Sequence, residues 1–130
     1  MLRRDLISAE IEKLAQVLAR IIGLKQENKL IEAEDLYFET LENGFGLKKD
    51  LLFNADNQPF KNWLEQTNIT AEQLNLLSDF LYSELDFDNK LDTSKLFGQK
   101  LILVYEMLSN NFQIVHLINM GRQKLIEQYI

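Results

Sequence analysis

Five consecutive apolar or aromatic residues, Leu101-Ile102-Leu103-Val104-Tyr105, sit inside the segment Leu96 to Leu108 and leave that stretch without a polar face. A helical segment that is apolar all round is one that other elements surround. Polar residues bound it, with Lys95, Gln99 and Lys100 before it and Glu106, Ser109 and Asn110 after. The remaining segments are amphipathic, so each can turn one face toward this one.

The spacing of apolar residues predicts helices along the whole chain. Ile7, Ile11, Leu14, Leu18 and Ile21 recur at steps of four, three, four and three, which predicts a helix from Asp5 to Leu24 closed by Gly23. A second helix, Lys29 to Asn43, carries Leu30, Ala33, Leu36, Tyr37 and Leu41 on one face and ends at Gly44 and Gly46. Leu47 to Phe53 reads as a further turn or two. Asn54 to Pro59 is the clearest loop, and Pro59 suits the first turn of a short helix with Phe60, Trp63 and Leu64 inward. Thr70-Ala-Glu-Gln73 is a capping box opening a helix with Leu74, Leu77, Leu81 and Leu85 on one stripe and Phe80 beside it. After the acidic loop Asp86 to Asp92, Thr93 or Ser94 is expected to cap the central helix, and Asn110-Asn111 to break it. A last helix is expected from Phe112 to Tyr129 through Val115, Ile118, Leu125, Ile126 and Tyr129.

No segment alternates as a half-buried strand does, and 5 Gly with 1 Pro supply few tight turns. The expectation is an all-α fold: about six helices in antiparallel hairpins, forming one domain over residues 1–130, packed as an irregular bundle or as right-handed tetratricopeptide-like pairs. A chain of 130 residues is one domain's worth.

Two resemblances bear on that fold. The segment Leu30-Ile-Glu-Ala33-Glu-Asp-Leu-Tyr37-Phe-Glu-Thr40-Leu41 resembles the second helix of a tetratricopeptide repeat, with a small Ala at the close approach and an aromatic four residues on. The preceding helix lacks the Trp, Gly and Tyr pattern of that repeat. Leu2-Arg3-Arg4-Asp5, Ile11-Glu12-Lys13-Leu14, Leu18-Ala19-Arg20-Ile21 and Glu32-Ala33-Glu34 together are similar to a family of small bacterial helical proteins of unknown function. That resemblance covers roughly the first 45 residues and implies a helical fold and a bacterial origin. It brings no site residues with it.

The residues that carry chemistry are sparse. There is no cysteine, hence no disulfide framework, thiolate metal site or thiol nucleophile, and the composition fits a reducing cytoplasm. The one histidine, His116, has no second histidine or carboxylate at metal-ligand spacing after it, and reads as a packed residue. Glu84, Asp86, Asp88 and Asp92 fall at the first, third, fifth and ninth positions of a calcium loop, but Asn89 stands where a Gly is needed and Lys95 where the bidentate Glu belongs. Asn54, Asp56, Gln58, Asn62 and Glu65 fit that spacing better, yet only two carry charge and Pro59 occupies the turn position. Gly44-Phe-Gly46 follows no strand and is read as a helix terminator, not a phosphate loop. No metal, cofactor or catalytic residue is therefore expected.

Charge speaks to partners. The formal net charge is −6, and residues 26–92 hold fifteen acidic against five basic side chains. Such a surface does not track nucleic-acid phosphates, which require a clustered basic face. No window is long and apolar enough to span a membrane, and the start of the chain lacks a signal-peptide pattern. The expectation is a non-enzymatic, cytoplasmic protein–protein interaction module, with Tyr37, Phe38, Phe45 and Trp63 as candidate binding aromatics. Its alternatives are a homodimer built on the first helix and, further off, an enzyme using paired carboxylates.

Overall fold

The computed structural model describes residues 2–113 and 116–129, with side chains from residue 6 onward. Among these residues there are seven helices and no strand: α1 (Leu2–Gln26), α2 (Leu30–Phe45), α3 (Lys49–Phe53), α4 (Gln58–Gln66), α5 (Ala71–Ser83), α6 (Leu91–Asn110) and α7 (Leu117–Glu127). The fold is all-α. None of the described helices is long and apolar enough to cross a membrane. The chain gathers into two compact units, Met1–Lys49 and Asp50–Ile130.

The first unit is the α1–α2 hairpin. Of the seam on α1, Leu14 and Ile21 are buried, while Ile7, Ile11 and Leu18 are half-buried. Gly23 does not end α1, as the sequence suggested. A glycine is tolerated within a helix at modest cost, and the chain runs on to Gln26. There Asn28 takes a left-handed conformation at φ 61°, its N–H donating to Lys25 O and the Lys29 N–H to Leu24 O. That pair of bonds is a Schellman motif, and Asn is the residue after Gly that best tolerates its left-handed position. Gly46 is the left-handed residue that ends α2, at φ 70°, in the simpler αL motif: its N–H donates to Glu42 O and the Leu47 N–H to Leu41 O, each 3.0 Å. Gly44 has another use: a Cβ there would lie 2.7 Å from Leu14 Cδ2, so the missing side chain lets the end of α2 close on α1. Since α2 ends abreast of Leu14, the first turns of α1 extend past it, and Leu6 is exposed.

The second unit is organised around α6, which packs against α5, α4 and α7. Leu101, Val104 and Tyr105 of the apolar run are buried, as are Phe97 and Leu108, whereas Ile102 and Leu103 are half-buried. The run is thus enclosed at Leu101, Val104 and Tyr105 and partly open at Ile102 and Leu103, not apolar-packed all round. From α5 come Leu74, Leu77, Phe80 and Leu81, and from α4 Phe60 and Leu64, all buried. The capping box at Thr70 forms as expected: Gln73 N–H donates to Thr70 Oγ1 (3.1 Å) and Thr70 N–H to Gln73 Oε1 (2.8 Å). Pro59 falls in the first turn of α4.

Two expectations at helix ends fail. Ser94 and Thr93 do not cap α6, which starts at Leu91. The buried Ser94 hydroxyl instead accepts the Asp86 N–H at 2.6 Å, tying the preceding loop to the helix. The last helix begins at Leu117, not at Phe112, because Gln113 adopts φ 56°, outside the helical range. Val115 lies outside the described residues. On α7, Ile126 is buried, but Ile118 and Leu125 face outward.

The left-handed cap of α2 gives a clean test. Nothing lies within 4 Å of a Cβ added at Gly46, so Gly46→Ala meets only the backbone penalty of φ 70°. We expect a loss of about 1 kcal/mol in urea unfolding, whereas Asn28→Gly, at a position where glycine is the preferred residue, should cause no comparable loss.

Candidate functional site

Three places in the second unit bring polar chemistry or open apolar surface together. The first is hidden. Lys100, in the bounding polar residues of the apolar run, is 0 % exposed. Its Nζ donates to Asn54 O (2.5 Å) and Asn57 Oδ1 (2.6 Å), and Asn57 Nδ2 reaches Gln99 Oε1 at 3.3 Å. Two Asx turns shape the loop that receives it, with the Asp56 N–H on Asn54 Oδ1 and the Gln58 N–H on Asp56 Oδ1. Burial draws the Lys100 pKa below the ordinary lysine value, and the nearby Asp56 charge opposes that shift. This is the loop whose spacing suggested calcium ligands. Two of its oxygens are taken up by an ammonium from the same chain.

The acidic loop before α6 is likewise spent on itself. Asp86 accepts the Asn89 side-chain amide and the N–H groups of Asn89 and Asp88. These bonds, with the Asn89 side chain foremost, hold its carboxyl below the usual carboxylate range. Among the described residues, no group of three or more His, Cys, Asp or Glu side chains converges as a metal site would.

The second place is the cleft between α6 and α7, about 170 Å³, lined by Tyr105, Ser109, His116, Asn119, Met120 and Gln123. It exists because α7 is held by polar pins. Asn119 Nδ2 donates to Asn75 Oδ1 (2.9 Å), and Arg122 pairs with Asp79 at 2.7 Å while stacking 4.3 Å over the Tyr82 ring. Beyond the end of the helix, Tyr129 stacks on Phe87 at 4.3 Å and 9°. Burial disfavours the Arg122 cation, but the Asp79 hydrogen bond and charge outweigh it and hold the pKa above its ordinary value. Among the described residues, the buried Tyr105 hydroxyl has no hydrogen-bond partner of normal geometry, in a side chain 4 % exposed. Burial pushes its pKa up to about 12, against the opposing pull of Arg122. His116, at the start of α7, is exposed and makes no capping bond from its side chain.

The third place is an open groove between α4 and α6. Two adjoining depressions of about 170 and 160 Å³ share Leu64, Glu65, Met107 and Asn111. Ile69 and Phe112 continue the apolar lining at one end and Leu103 at the other, where Glu106 and Lys61 also stand. The groove forms because α4 stops at Gln66, where Thr67 turns to extended backbone (ψ 144°), while α6 continues to Asn110. Of the enclosed run, Leu103 faces this opening.

The four aromatics singled out from sequence do not meet in one site. Tyr37 and Phe45, at 0 % and 4 % exposure, are interior side chains. Phe38 is half-buried, edge-on to Tyr37 at 5.1 Å and beneath the Lys49 ammonium at 4.6 Å. Trp63, also half-buried, belongs to the other unit and lies 5.6 Å from Phe60. Lys100, Tyr105 and the groove were not singled out. The sequence shows Lys100 only as a polar residue adjoining an apolar run, and the groove depends on where α4 ends.

No protein-family model, curated protein or solved structure matches the chain, so the resemblances of its first 45 residues and of Leu30 to Leu41 rest on the quoted motifs alone.

The buried hydroxyl is open to direct measurement. Among the 4 tyrosines, one component of the alkaline absorbance titration should ionise near 12 and vanish in Tyr105→Phe. Between the free-tyrosine pKa of about 10 and that value, the unfolded chain releases this proton while the native chain keeps it. Stability therefore falls with rising pH in this window, and the Phe variant should lose that part of the fall.

Proposed function

We propose that this chain is a non-enzymatic interaction module whose α4–α6 groove takes an amphipathic helix from a partner protein. The observation that carries the reading is the groove's composition. Leu64, Leu103, Met107, Ile69 and Phe112 form an apolar strip, with Glu65 and Glu106 against the single basic Lys61 among the lining side chains. Helix-in-groove recognition needs such a strip to receive side chains at i, i+3, i+4 and i+7. Methionine adapts its shape to different occupants. The acidic side chains, on a chain of net charge −6, favour a helix carrying Lys or Arg beside its apolar face.

The finer, repeat-like reading has one point of support in the α1–α2 hairpin. Ala33, the small residue of the tetratricopeptide-like segment, is fully buried. A bacterial cytoplasmic setting accords with the resemblance of the first 45 residues and with the cysteine-free composition.

The test uses two fluorescent synthetic helices with the same leucine face, one flanked by lysines and one by glutamates. Anisotropy should show saturable binding of the lysine peptide alone. Met107→Glu should weaken it at least tenfold, and the double variant Glu65→Lys/Glu106→Lys should transfer preference to the glutamate peptide. Equal binding of both peptides, or binding indifferent to these substitutions, would remove the groove as the docking site.

A further inference from the structure

α7 presents the reverse of an ordinary amphipathic helix. Its inward residues are Asn119, Arg122, Gln123 and Ile126, three of them polar, while Leu117 and Ile118 stand 85 % and 69 % exposed. Successive residues turn by about 100°, so Leu117, Gly121 and Leu125 share one outward line, with Ile118 next to it. Outward apolar residues on a helix pinned by Asn119–Asn75 and Arg122–Asp79 are not a packing requirement of this unit. With Met120 and Tyr129 at its edges, the patch is on the order of 500 Å², the scale at which exposed apolar surface marks an interaction site.

We infer that this face binds a second copy of the same chain, in a two-fold dimer in which two α7 helices cross antiparallel at Gly121. A two-fold contact requires a patch complementary to itself, and this one has that symmetry in its sequence. Leu117 and Leu125 lie four residues to either side of Gly121, so an antiparallel crossing sets Leu117 of each copy against Leu125 of the other. Gly121 is exposed, and a Cβ added there would meet nothing within 4 Å, so the backbone is open to close approach. Rows of residues at i±4 are the ridges used in the commonest helix crossings. Lys124 lies three residues from the axis, which keeps the two ammonium groups apart along the crossing and brings each stem toward Ile118 of the other copy. Two such patches face to face give about 1,000 Å², the lower end for a specific pair. The dimer is accordingly weak and concentration-dependent. It uses a different surface from the α4–α6 groove, so either reading can fail without the other.

Sedimentation equilibrium of the full chain from about 10 µM to about 1 mM should show a reversible monomer–dimer equilibrium. Leu117→Glu should leave the helical signal unchanged, since the side chain is already in water, and abolish the dimer. Because the parent has no cysteine, single-cysteine variants report the axis directly. Gly121→Cys should form an intermolecular disulfide under mild oxidation at least tenfold faster than Lys124→Cys, whose partners lie about 9 Å apart along the helix axis. A strict monomer at the highest concentration overturns the proposal, as do equal cross-linking rates. So does a dimer that survives Leu117→Glu but is lost in Leu6→Glu, which would assign the contact to the exposed start of α1.

Discussion

A buried ammonium group ties a loop of the second unit to its central helix. Lys100 stands at the start of the run that other helices enclose, and its side chain passes out of water to reach Asn54 O and Asn57 Oδ1. That bond pair fixes the loop between α3 and α4 onto α6. The loop in turn sets where α4 begins, and α4 with α6 forms the groove. Placing a charge there costs desolvation free energy, visible in the lowered pKa, and hydrogen bonds to the charged group offset it. Such an arrangement contributes less to net stability than to register, because both oxygens are met by one side chain at a fixed position on α6. The chain's own cation is bound by the Asn54 main-chain O and by Asn57 Oδ1, neither of which belongs to the calcium-spaced side chains of this loop.

Polar pins also govern the other end of the unit. Apolar burial alone would turn Ile118 and Leu125 of α7 inward, and the bonds of Asn119 and Arg122 to α5 turn them out. Specific polar pairs can decide a helix's rotation where the buried apolar area is small, as it is for an 11-residue helix with Ile126 its one buried apolar side chain. Among the described residues, this unit thus presents an outward apolar face on α7 beside the α4–α6 groove and the α6–α7 cleft.

Much of the fold was legible in the sequence, for identifiable reasons. The four-three spacing on α1, the Thr70–Gln73 box and the stripe on α5 are local signals. The box formed as read, Leu74, Leu77 and Leu81 are buried while Leu85 lies past the end of α5, and Leu14 and Ile21 are the buried members of the α1 seam. Gly46 was recognisable as a terminator because glycine alone takes φ 70° without strain. The sequence points to Gly23 and not to Asn28, since a left-handed asparagine leaves the same signature as any polar loop residue. The α7 rotation and the Lys100 bonds depend on partners more than forty residues away, Asn75 and Asp79 in one case and Asn54 and Asn57 in the other. No periodicity within one segment encodes such pairings. The candidate site suffered most: aromatic character pointed to Tyr37 and Phe45, which lie inside, whereas the groove is made of Leu, Met and Glu side chains that look ordinary in any helix.

The dependence of the second unit on Lys100 is most directly tested by heteronuclear NMR of the lysine side-chain ammonium groups. One Nζ signal, absent from Lys100→Met, should exchange slowly with water at neutral pH and titrate below the usual lysine value of about 10.4. In the Met variant, the amides of Asp56 and Gln58 should lose protection from hydrogen exchange as the loop is freed. If every lysine exchanges rapidly and titrates at the ordinary value, and the loop amides are unchanged in Lys100→Met, the ammonium does not hold this loop to α6.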